Sequence, residues 1–145
     1  LNDFQVNLMG AVRLLRENLG ALKKSDQASV VFFSTVAVQT GLPFHASIAA
    51  AKGAVEGLTR ALAAEFAPKI RVNCIAPSLT DTPLASALLS SPEKVEASAN
   101  RHPLKRVGDA AEIAKAVQFL LSPDSGFMSG QILSIDGGLS TLKGL

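Results

Sequence analysis

Residues 47–66 read SIAAAKGAVEGLTRALAAEF, and the fold of the chain is organised around them. Apolar side chains recur in this stretch at three-, four- and seven-residue intervals, which is the spacing of one face of a helix. These positions are Ile48, Val55, Leu58, Leu62 and Phe66. Ser47 is the expected N-cap, and Pro68 follows the last apolar position. We therefore predict one long helix, on which Lys52 lies one turn after Ile48 and on the same face.

Before this helix, the sequence predicts another helix and a buried strand. Residues 3–23 carry apolar side chains on two sides of a helix, so we expect both sides to be covered. Residues 28–33, ASVVFF, form a continuous β-branched and aromatic run, which is typical of a parallel strand buried on both faces. Residues 34–46 then form a connection rich in small and turn residues.

After the central helix, the same alternation continues. Residues 70–75 predict a second strand, and residues 77–83, PSLTDTP, predict a polar loop. Residues 84–100 predict a short helical excursion whose second half begins at Pro92, because proline is favoured in the first turn of a helix.

A last helix and a last strand complete the pattern. Asp109 is the expected N-cap of an amphipathic helix. Its predicted core face consists of Ile113, Ala116, Val117, Leu120 and Leu121. Residues 131–135 predict a third strand, which ends at the Asp-Gly-Gly turn of residues 136–138.

Strands that alternate with long helices predict an α/β fold with a doubly wound parallel sheet. Three strands make a small sheet, and the apolar strand 28–33 would be left with an open edge. Since an open apolar edge is a template for further pairing, we expect additional strands beside it. The chain begins at Leu1 rather than Met, and we expect it to be part of a longer protein.

The composition narrows the class of protein. Of the 145 residues, 48% are hydrophobic and 18% are charged, which is typical of a globular domain. A net charge of +2 gives no argument for nucleic-acid binding. No apolar stretch reaches the roughly 20 residues that a membrane-spanning helix needs. Cys74 is the single cysteine, so we expect a buried thiol in a reducing compartment and a cytoplasmic protein.

Five stretches carry a resemblance to a known family. They are FQVNLMG at residues 4–10, the strand and loop of residues 31–37, IRVNCIAPSLTDT at residues 70–82, the PLKRVG-containing residues 103–121, and SGQILSIDGG at residues 129–138. In this order and spacing they resemble the C-terminal half, or slightly more, of a short-chain dehydrogenase/reductase. The resemblance implies a Rossmann-like fold, of which residues 1–145 supply about three strands and their helices. The N-terminal nucleotide-binding half of such a domain is absent from the chain.

The resemblance also implies a reaction. Members transfer hydride between NAD or NADP and a carbonyl or alcohol, and they use an Asn, a Ser, a Tyr and a Lys. Tyrosine has a reference pKa of about 10, and a lysine one helical turn away lowers that pKa. By position, Asn7 matches the asparagine, Lys52 the lysine, and Thr35 the serine. The tyrosine position is occupied by Ile48, and the chain contains no tyrosine.

The cofactor-binding positions are carried over in the same way. Lys52 matches the residue that holds the nicotinamide ribose. Pro77 and Ser78 match a Pro-Gly pair, so Ser78 departs from the family pattern. Thr80 and Thr82 match residues that contact the nicotinamide amide or the phosphate, although Ile or Val is usual at the first of them. The residues that choose between NAD and NADP are absent from the chain, and no metal site is expected.

Two functional hypotheses remain open. In the first, the protein is an oxidoreductase acting on a small carbonyl or alcohol, and water, Thr35 or His45 replaces the tyrosine as proton donor; Ser34 is a less well aligned alternative to Thr35. In the second, it is a non-catalytic member, either a structural subunit or a cofactor-binding one. In both, helices 3–23 and 47–66 resemble the pair that joins the subunits of a homodimer or homotetramer.

Overall fold

The computed structural model describes residues 2–143, so that Leu1 and residues 144–145 lie outside it. Its helices and strands alternate along the chain as the sequence predicts. In chain order they are a π-helical turn Phe4–Met9, α1 Gly10–Lys24, β1 Ala28–Phe33, α2 Ala46–Phe66, β2 Ile70–Pro77, β3 Thr80–Asp81, α3 Pro92–Asn100, β4 Gly108–Asp109, α4 Ala110–Leu121 and β5 Ile132–Ile135. Short 3₁₀ turns cover Val36–Val38, Pro83–Leu89 and Pro123–Ser125.

The central sheet has three parallel strands in the order β1-β2-β5. The middle strand β2 is buried almost throughout, because it has a strand on each side and helices on its faces. Its register places Val72 opposite Val30 of β1, and Cys74 opposite Ile132 of β5. The predicted α/β fold with a parallel sheet is therefore confirmed. The prediction that residues 28–33 are buried on both faces is wrong, because β1 is an edge strand in which only Ala28 and Phe32 are buried and Phe33 is 44% exposed.

The outer edge of β1 pairs with no strand within residues 2–143. A groove of about 580 Å³ runs along it, and we call this the β1 groove. Apolar side chains of β1 and α1 form most of its wall, and Asn7 and Lys52 also line it. This edge is the open, apolar one that the sequence predicts.

Both long helices are present, with differences from the prediction in their first turns. The first is helical from Asn2 and contains a π-helical turn, in which the Gly10 N–H donates to the Gln5 carbonyl, before it continues as α1. The second, α2, begins at Ala46, and its N-cap is His45, so the prediction that Ser47 is the N-cap is wrong. The His45 carbonyl already accepts from the Ala49 N–H at 2.8 Å, which closes the first turn upstream of Ser47.

The helix after Asp109 is confirmed in position and in its cap. The Asp109 carboxylate accepts from the Ala111 N–H at 2.9 Å, and the Glu112 carboxylate accepts from the Asp109 N–H at 3.2 Å, which is a capping box. Leu120 is fully buried, but Leu121 is 47% exposed. The placement of Leu121 on the core face is therefore wrong, because α4 ends there and the chain turns away at Ser122.

A second, two-stranded sheet was not predicted. β3 and β4 pair in parallel, with Thr80 opposite Gly108 and Asp81 opposite Asp109. This pairing fastens the loop after β2 to the start of α4. No helix within the described residues is both long and apolar enough to cross a bilayer.

Candidate active-site cleft

The C-terminal ends of β1 and β2 open into a cavity of about 510 Å³, which we call the Lys52 cavity. Parallel sheets bind their ligands at this end of their strands. The cavity is lined by Phe33, Ser34, Lys52, Pro77, Ser78, Leu79, Thr80, Thr82, Leu84, Ala85, Leu88, Ala110 and Ile113. Five positions that the family resemblance selects are thus brought to one wall: Lys52, Pro77, Ser78, Thr80 and Thr82.

Lys52 reaches this wall from α2. Its Nζ donates to the Phe33 carbonyl at 2.8 Å, at the last residue of β1. The side chain is half-buried, and burial lowers the pKa of the ammonium below its ordinary value. Lys52 also lines the β1 groove, so it stands between the groove and the cavity.

Asn7 lies on the groove side of Lys52 rather than in the cavity. It belongs to the π-helical turn, and its Nδ2 donates to the Asp3 carbonyl at 3.0 Å. π-Helical turns within α-helices often occur at functional sites. The structure thus brings Asn7 and Lys52 to one groove, and describes no direct hydrogen bond between them.

Thr35 lines a neighbouring cavity of about 330 Å³, the Thr35 cavity. Its Oγ1 accepts from the Ala37 N–H at 3.3 Å and thereby caps the 3₁₀ turn that follows β1. His45 lines the same cavity, and its Nδ1 lies 2.7 Å from the Pro43 carbonyl. Ile48 is not among the residues that line either cavity.

Ser34 is the buried neighbour of Thr35, and its hydroxyl is already engaged. Its Oγ donates to Glu56 Oε1 at 2.7 Å, and Glu56 is buried one turn beyond Lys52 on α2. Glu56 also lies 3.7 Å from the Arg60 guanidinium. The sequence analysis did not single out Glu56, because a glutamate on a helix is usually solvated.

The two threonines of the polar loop hold that loop in shape. Thr80 Oγ1 donates to the Ser78 carbonyl at 3.1 Å, and Thr82 Oγ1 donates to the Thr80 carbonyl at 3.4 Å. The β3–β4 pairing fixes the same segment from its other side. The loop that follows β2 is therefore a rigid wall of the Lys52 cavity.

The structure adds one residue that sequence reasoning missed. His102 is buried, and its Nε2 lies 2.8 Å from Ser78 Oγ. Its Nδ1 lies 2.9 Å from the Ser98 carbonyl. A histidine next to proline in a basic loop carries no local signal of this contact. Within residues 2–143, no three side chains of the metal-ligating types come together in a way that could hold a metal ion.

Comparisons with known proteins agree with this architecture. A protein-family model described as enoyl-(acyl carrier protein) reductase matches residues 1–140. A tropinone reductase homolog of Arabidopsis thaliana is 42% identical over 135 residues, which are 92% of this chain and 51% of that protein. The chain spans about half the length of the curated relatives it matches.

Solved structures of other proteins also superpose on this chain. A short-chain dehydrogenase/reductase from Brucella melitensis, described as a glucose/ribitol dehydrogenase, superposes with a TM-score of 0.86 at 36% identity, over 94% of this chain and 54% of that one. The structure of ElxO with NADP bound superposes with a TM-score of 0.86 at 30% identity, over 94% and 56%. By sequence and by structure, the chain belongs to the short-chain dehydrogenase/reductase family.

Proposed function

We propose that this protein is an NAD(P)-dependent oxidoreductase that transfers hydride between the nicotinamide and the carbonyl or alcohol group of a small molecule. The observation that carries the proposal is the half-buried Lys52 ammonium, which lines the Lys52 cavity together with the loop after β2. A half-buried cation at the C-terminal ends of parallel strands is suited to hold a polar ligand there.

The residues of the cavity fit the nicotinamide end of the cofactor. An ammonium has three N–H donors, and the Phe33 carbonyl takes one of them, so two remain for the hydroxyl groups of a ribose. Thr80 and Thr82 place hydroxyl groups at the same wall, where an amide needs polar partners. The bound cofactor supplies or accepts the hydride. Both NAD and NADP are candidates, and the relative with NADP bound supports a nicotinamide cofactor of one of these kinds.

The remaining site residues either position Lys52 or orient the substrate. We assign Asn7 to the placement of Lys52 through a water molecule, because both line the β1 groove. Thr35 orients the substrate oxygen from the adjoining Thr35 cavity. Ile48 stands at the tyrosine position and has no ionisable proton, so the proton must come from another group. Water, Thr35 and His45 are the donors that the sequence suggests.

The experiment is a titration followed by an activity assay on the full-length protein. NADH and NADPH are titrated by fluorescence, and their oxidation is then followed with acetoin, ethyl acetoacetate and benzaldehyde as carbonyl probes. We expect one cofactor to bind and to be oxidised with at least one probe, and Lys52→Ala to abolish that oxidation. Binding of neither cofactor, together with no oxidation, would contradict the proposal.

A second candidate is a non-catalytic member that binds the cofactor without turning it over. Ile48 favours it, because removing a general acid typically costs about 100- to 10,000-fold in rate. Its test is Ile48→Tyr: cofactor binding without turnover in the natural protein, with turnover appearing in the variant, supports this candidate. Equal turnover in both proteins supports the oxidoreductase.

We also propose that residues 1–145 form the C-terminal part of one Rossmann-type domain, and that a nucleotide-binding part of the protein covers the open edge of β1. The apolar β1 groove and the half-length matches to relatives support this arrangement. The intact mass of the natural protein tests it, because a nucleotide-binding part adds a second half of comparable size.

We propose further that helices 3–23 and 47–66 join two or four copies of the protein. Met9 supports this, since it is exposed on the first helix and does not line the β1 groove. Light scattering coupled to gel filtration measures the assembly, and Met9→Glu should reduce it to monomers. The buried free thiol of Cys74 supports a reducing compartment such as the cytoplasm.

A further inference from the structure

The hydrogen bonds of His102 fix where its protons lie. The Ser98 carbonyl can only accept, so Nδ1 carries a proton and donates to it across 2.9 Å. In the neutral ring Nε2 is then the acceptor, and it faces Ser78 Oγ at 2.8 Å. The ring is only 3% exposed, so these two contacts hold its orientation. A hydroxyl that donates to an oriented imidazole is the arrangement in which a side chain takes up or releases a proton.

Ser78 lies where the two cavities adjoin. It lines both the Lys52 cavity and the Thr35 cavity, and Leu79 and Leu88 are the other residues shared by the two. Under the proposed function, the nicotinamide occupies the first cavity and the substrate oxygen lies beside Thr35 in the second. Hydride transfer takes place at the junction of the two ligands, and Ser78 is the hydroxyl group at that junction.

The other hydroxyl groups of the two cavities have no imidazole partner among the described hydrogen bonds. Ser34 donates to the Glu56 carboxylate. Thr80 and Thr82 donate to backbone carbonyls. Thr35 accepts a backbone N–H and has no titratable partner among the described hydrogen bonds. Ser78 is thus the hydroxyl lining these cavities that contacts an imidazole in the described part of the chain.

Charged groups lie near the His102 ring. Burial raises the pKa of the neighbouring Asp136 carboxyl, but hydrogen bonds from Ser140 and Gly138, with the attraction of the imidazole, outweigh burial and lower that pKa. Asp136 is therefore a fixed negative charge near the ring. Arg101 lines the Thr35 cavity from the same loop, and its Nη2 donates to Ser98 Oγ at 3.2 Å.

We propose that Ser78 and His102 form a proton relay. The relay delivers a proton to the substrate oxygen in place of the proton donor that is missing at Ile48. The inference rests on the proposed function. In the reducing direction, hydride forms the new C–H bond while the Ser78 O–H proton passes to the carbonyl oxygen. For this step water in the Thr35 cavity, which His102 also lines, first protonates Nε2; the Nε2 proton then passes to Ser78 Oγ and leaves the neutral ring described above. In the oxidising direction each transfer runs backwards.

In this relay Ser78 is the catalytic residue, because it touches the substrate oxygen, and His102 is a positioning and proton-storing residue. Imidazole suits this role because its Nε2 can either accept a hydrogen bond or carry a proton. Ser78 and Ile48 are two of the positions at which the sequence departs from the family pattern, and the relay accounts for these two.

The test measures the rate at which variants of the full-length protein reduce the carbonyl probe that the natural protein reduces. We expect Ser78→Ala to lower kcat about 100-fold with the KM for the probe nearly unchanged, because a proton donor acts in the transition state. Ser78→Thr keeps the hydroxyl and should recover most of the rate. Ser90→Ala removes an exposed serine hydroxyl and should leave the rate unchanged.

A measurement independent of turnover keeps the relay testable where His102 variants fold poorly. In ¹⁵N spectra of the side chains, His102 should show a protonated Nδ1 and an acceptor Nε2, and Ser78→Ala should move the Nε2 resonance only. The chain has two histidines, so His45→Gln assigns the signals.

The outcomes separate the relay from the proposed function. Natural turnover together with full turnover in Ser78→Ala overturns the relay and leaves the oxidoreductase intact. An Nε2 resonance that does not respond to Ser78→Ala also overturns the relay. Absence of both cofactor binding and turnover in the natural protein overturns the proposed function, and the relay with it. A slow Ser78→Ala whose rate returns when Ile48→Tyr is added supports the relay, because the tyrosine then supplies the proton.

Discussion

The two ends of β2 differ in what their polar side chains bind. At the first end, Arg71 and Asn73 direct their hydrogen bonds to backbone groups around α4 and β5. At the other end, Ser78 and the threonines after it line a cavity, and Lys52 reaches the same cavity from α2. One continuous stretch of sequence, residues 70–82, therefore serves stability at one end and a candidate site at the other.

The difference separates two kinds of motif residue. Asn73 is fully buried, and its amide donates to the Met128 carbonyl at 3.0 Å and accepts from the Gln131 N–H at 3.0 Å. Both polar atoms of this amide are bound to the backbone and the side chain is buried, so it is closed to a ligand. Lys52 has one described hydrogen bond and three donors, so it can bind a ligand without breaking the fold. Resemblance at a position does not distinguish these cases, whereas the hydrogen-bond partners do.

The largest effect should come from the cavity end. Under the proposed function, Lys52→Met removes the cation that faces the cofactor, and we expect the turnover rate to fall by about 1,000-fold. The midpoint of urea unfolding should change little, because the side chain is only half-buried. Lys115→Met, on the exposed side of α4, is the matched control and should keep the natural rate. A natural rate in Lys52→Met would place this lysine among the structural residues.

The next largest effect should be a loss of stability when a side chain at the first end of β2 is replaced. Arg71 donates to the carbonyl of Leu120, in the last turn of α4, and to those of Ser122 and Ser125, which follow the helix. Because Arg71→Leu leaves these carbonyls without their charged donor, we expect a loss of about 3 kcal/mol in the free energy of unfolding. Urea denaturation measures it.

Arg106 provides the comparison for Arg71. It pairs with Glu112 at 2.6 Å on the surface, where water replaces a lost partner. Arg106→Leu should therefore change the unfolding midpoint much less than Arg71→Leu. Equal effects of the two substitutions would show that the anchoring role assigned to Arg71 is wrong.

A smaller loss is expected for Asn73→Ala. The substitution leaves the Met128 carbonyl and the Gln131 N–H without partners, which costs about 2 kcal/mol in the free energy of unfolding. Cofactor affinity, measured by fluorescence titration on the folded variant, should stay the same. Asn18→Ala is the control, since that amide is exposed on α1 and should contribute little. A change in cofactor affinity without a loss of stability would assign Asn73 to the site instead.

The smallest effect concerns Cys74, which lies between the two ends of β2. Burial raises the pKa of its thiol to about 11, and the reactive form of cysteine is the thiolate. At pH 8 the native protein should therefore leave Cys74 unmodified by iodoacetamide, while protein unfolded in guanidinium should be modified there. Mass spectrometry of the Cys74 peptide reads out both. Rapid modification in the native state would show that this part of β2 is open to solvent.

Much of the fold could be predicted because its signals are local. The run ASVVFF gave the bounds of β1, and the Asp109 cap gave the start of α4. The errors lie where a local signal competes with the surroundings. Ser47 has a favourable capping side chain, but the first turn closes on the His45 carbonyl. Leu121 continues the helical period of apolar residues, but it is the last residue of α4 and is exposed.

Part of the candidate site could also be predicted from the sequence. The family resemblance selected Lys52 and positions in the loop of residues 77–82, and five of the selected positions line the Lys52 cavity. Neither the Ser34–Glu56 hydrogen bond nor the Ser78–His102 contact has a sequence signal, because each joins residues more than twenty apart that meet only when β2 and its loops are assembled.

The sequence by itself determined the parallel α/β fold, the open apolar edge of β1 and the absence of tyrosine beside Lys52, since apolar periodicity and residue identity are local properties. Only the tertiary structure decided which polar groups are engaged with the protein and which face a cavity. Whether a side chain is satisfied depends on the few ångströms between it and groups distant in the chain, and the packing of β2 against α4, β5 and the loop of His102 sets those distances.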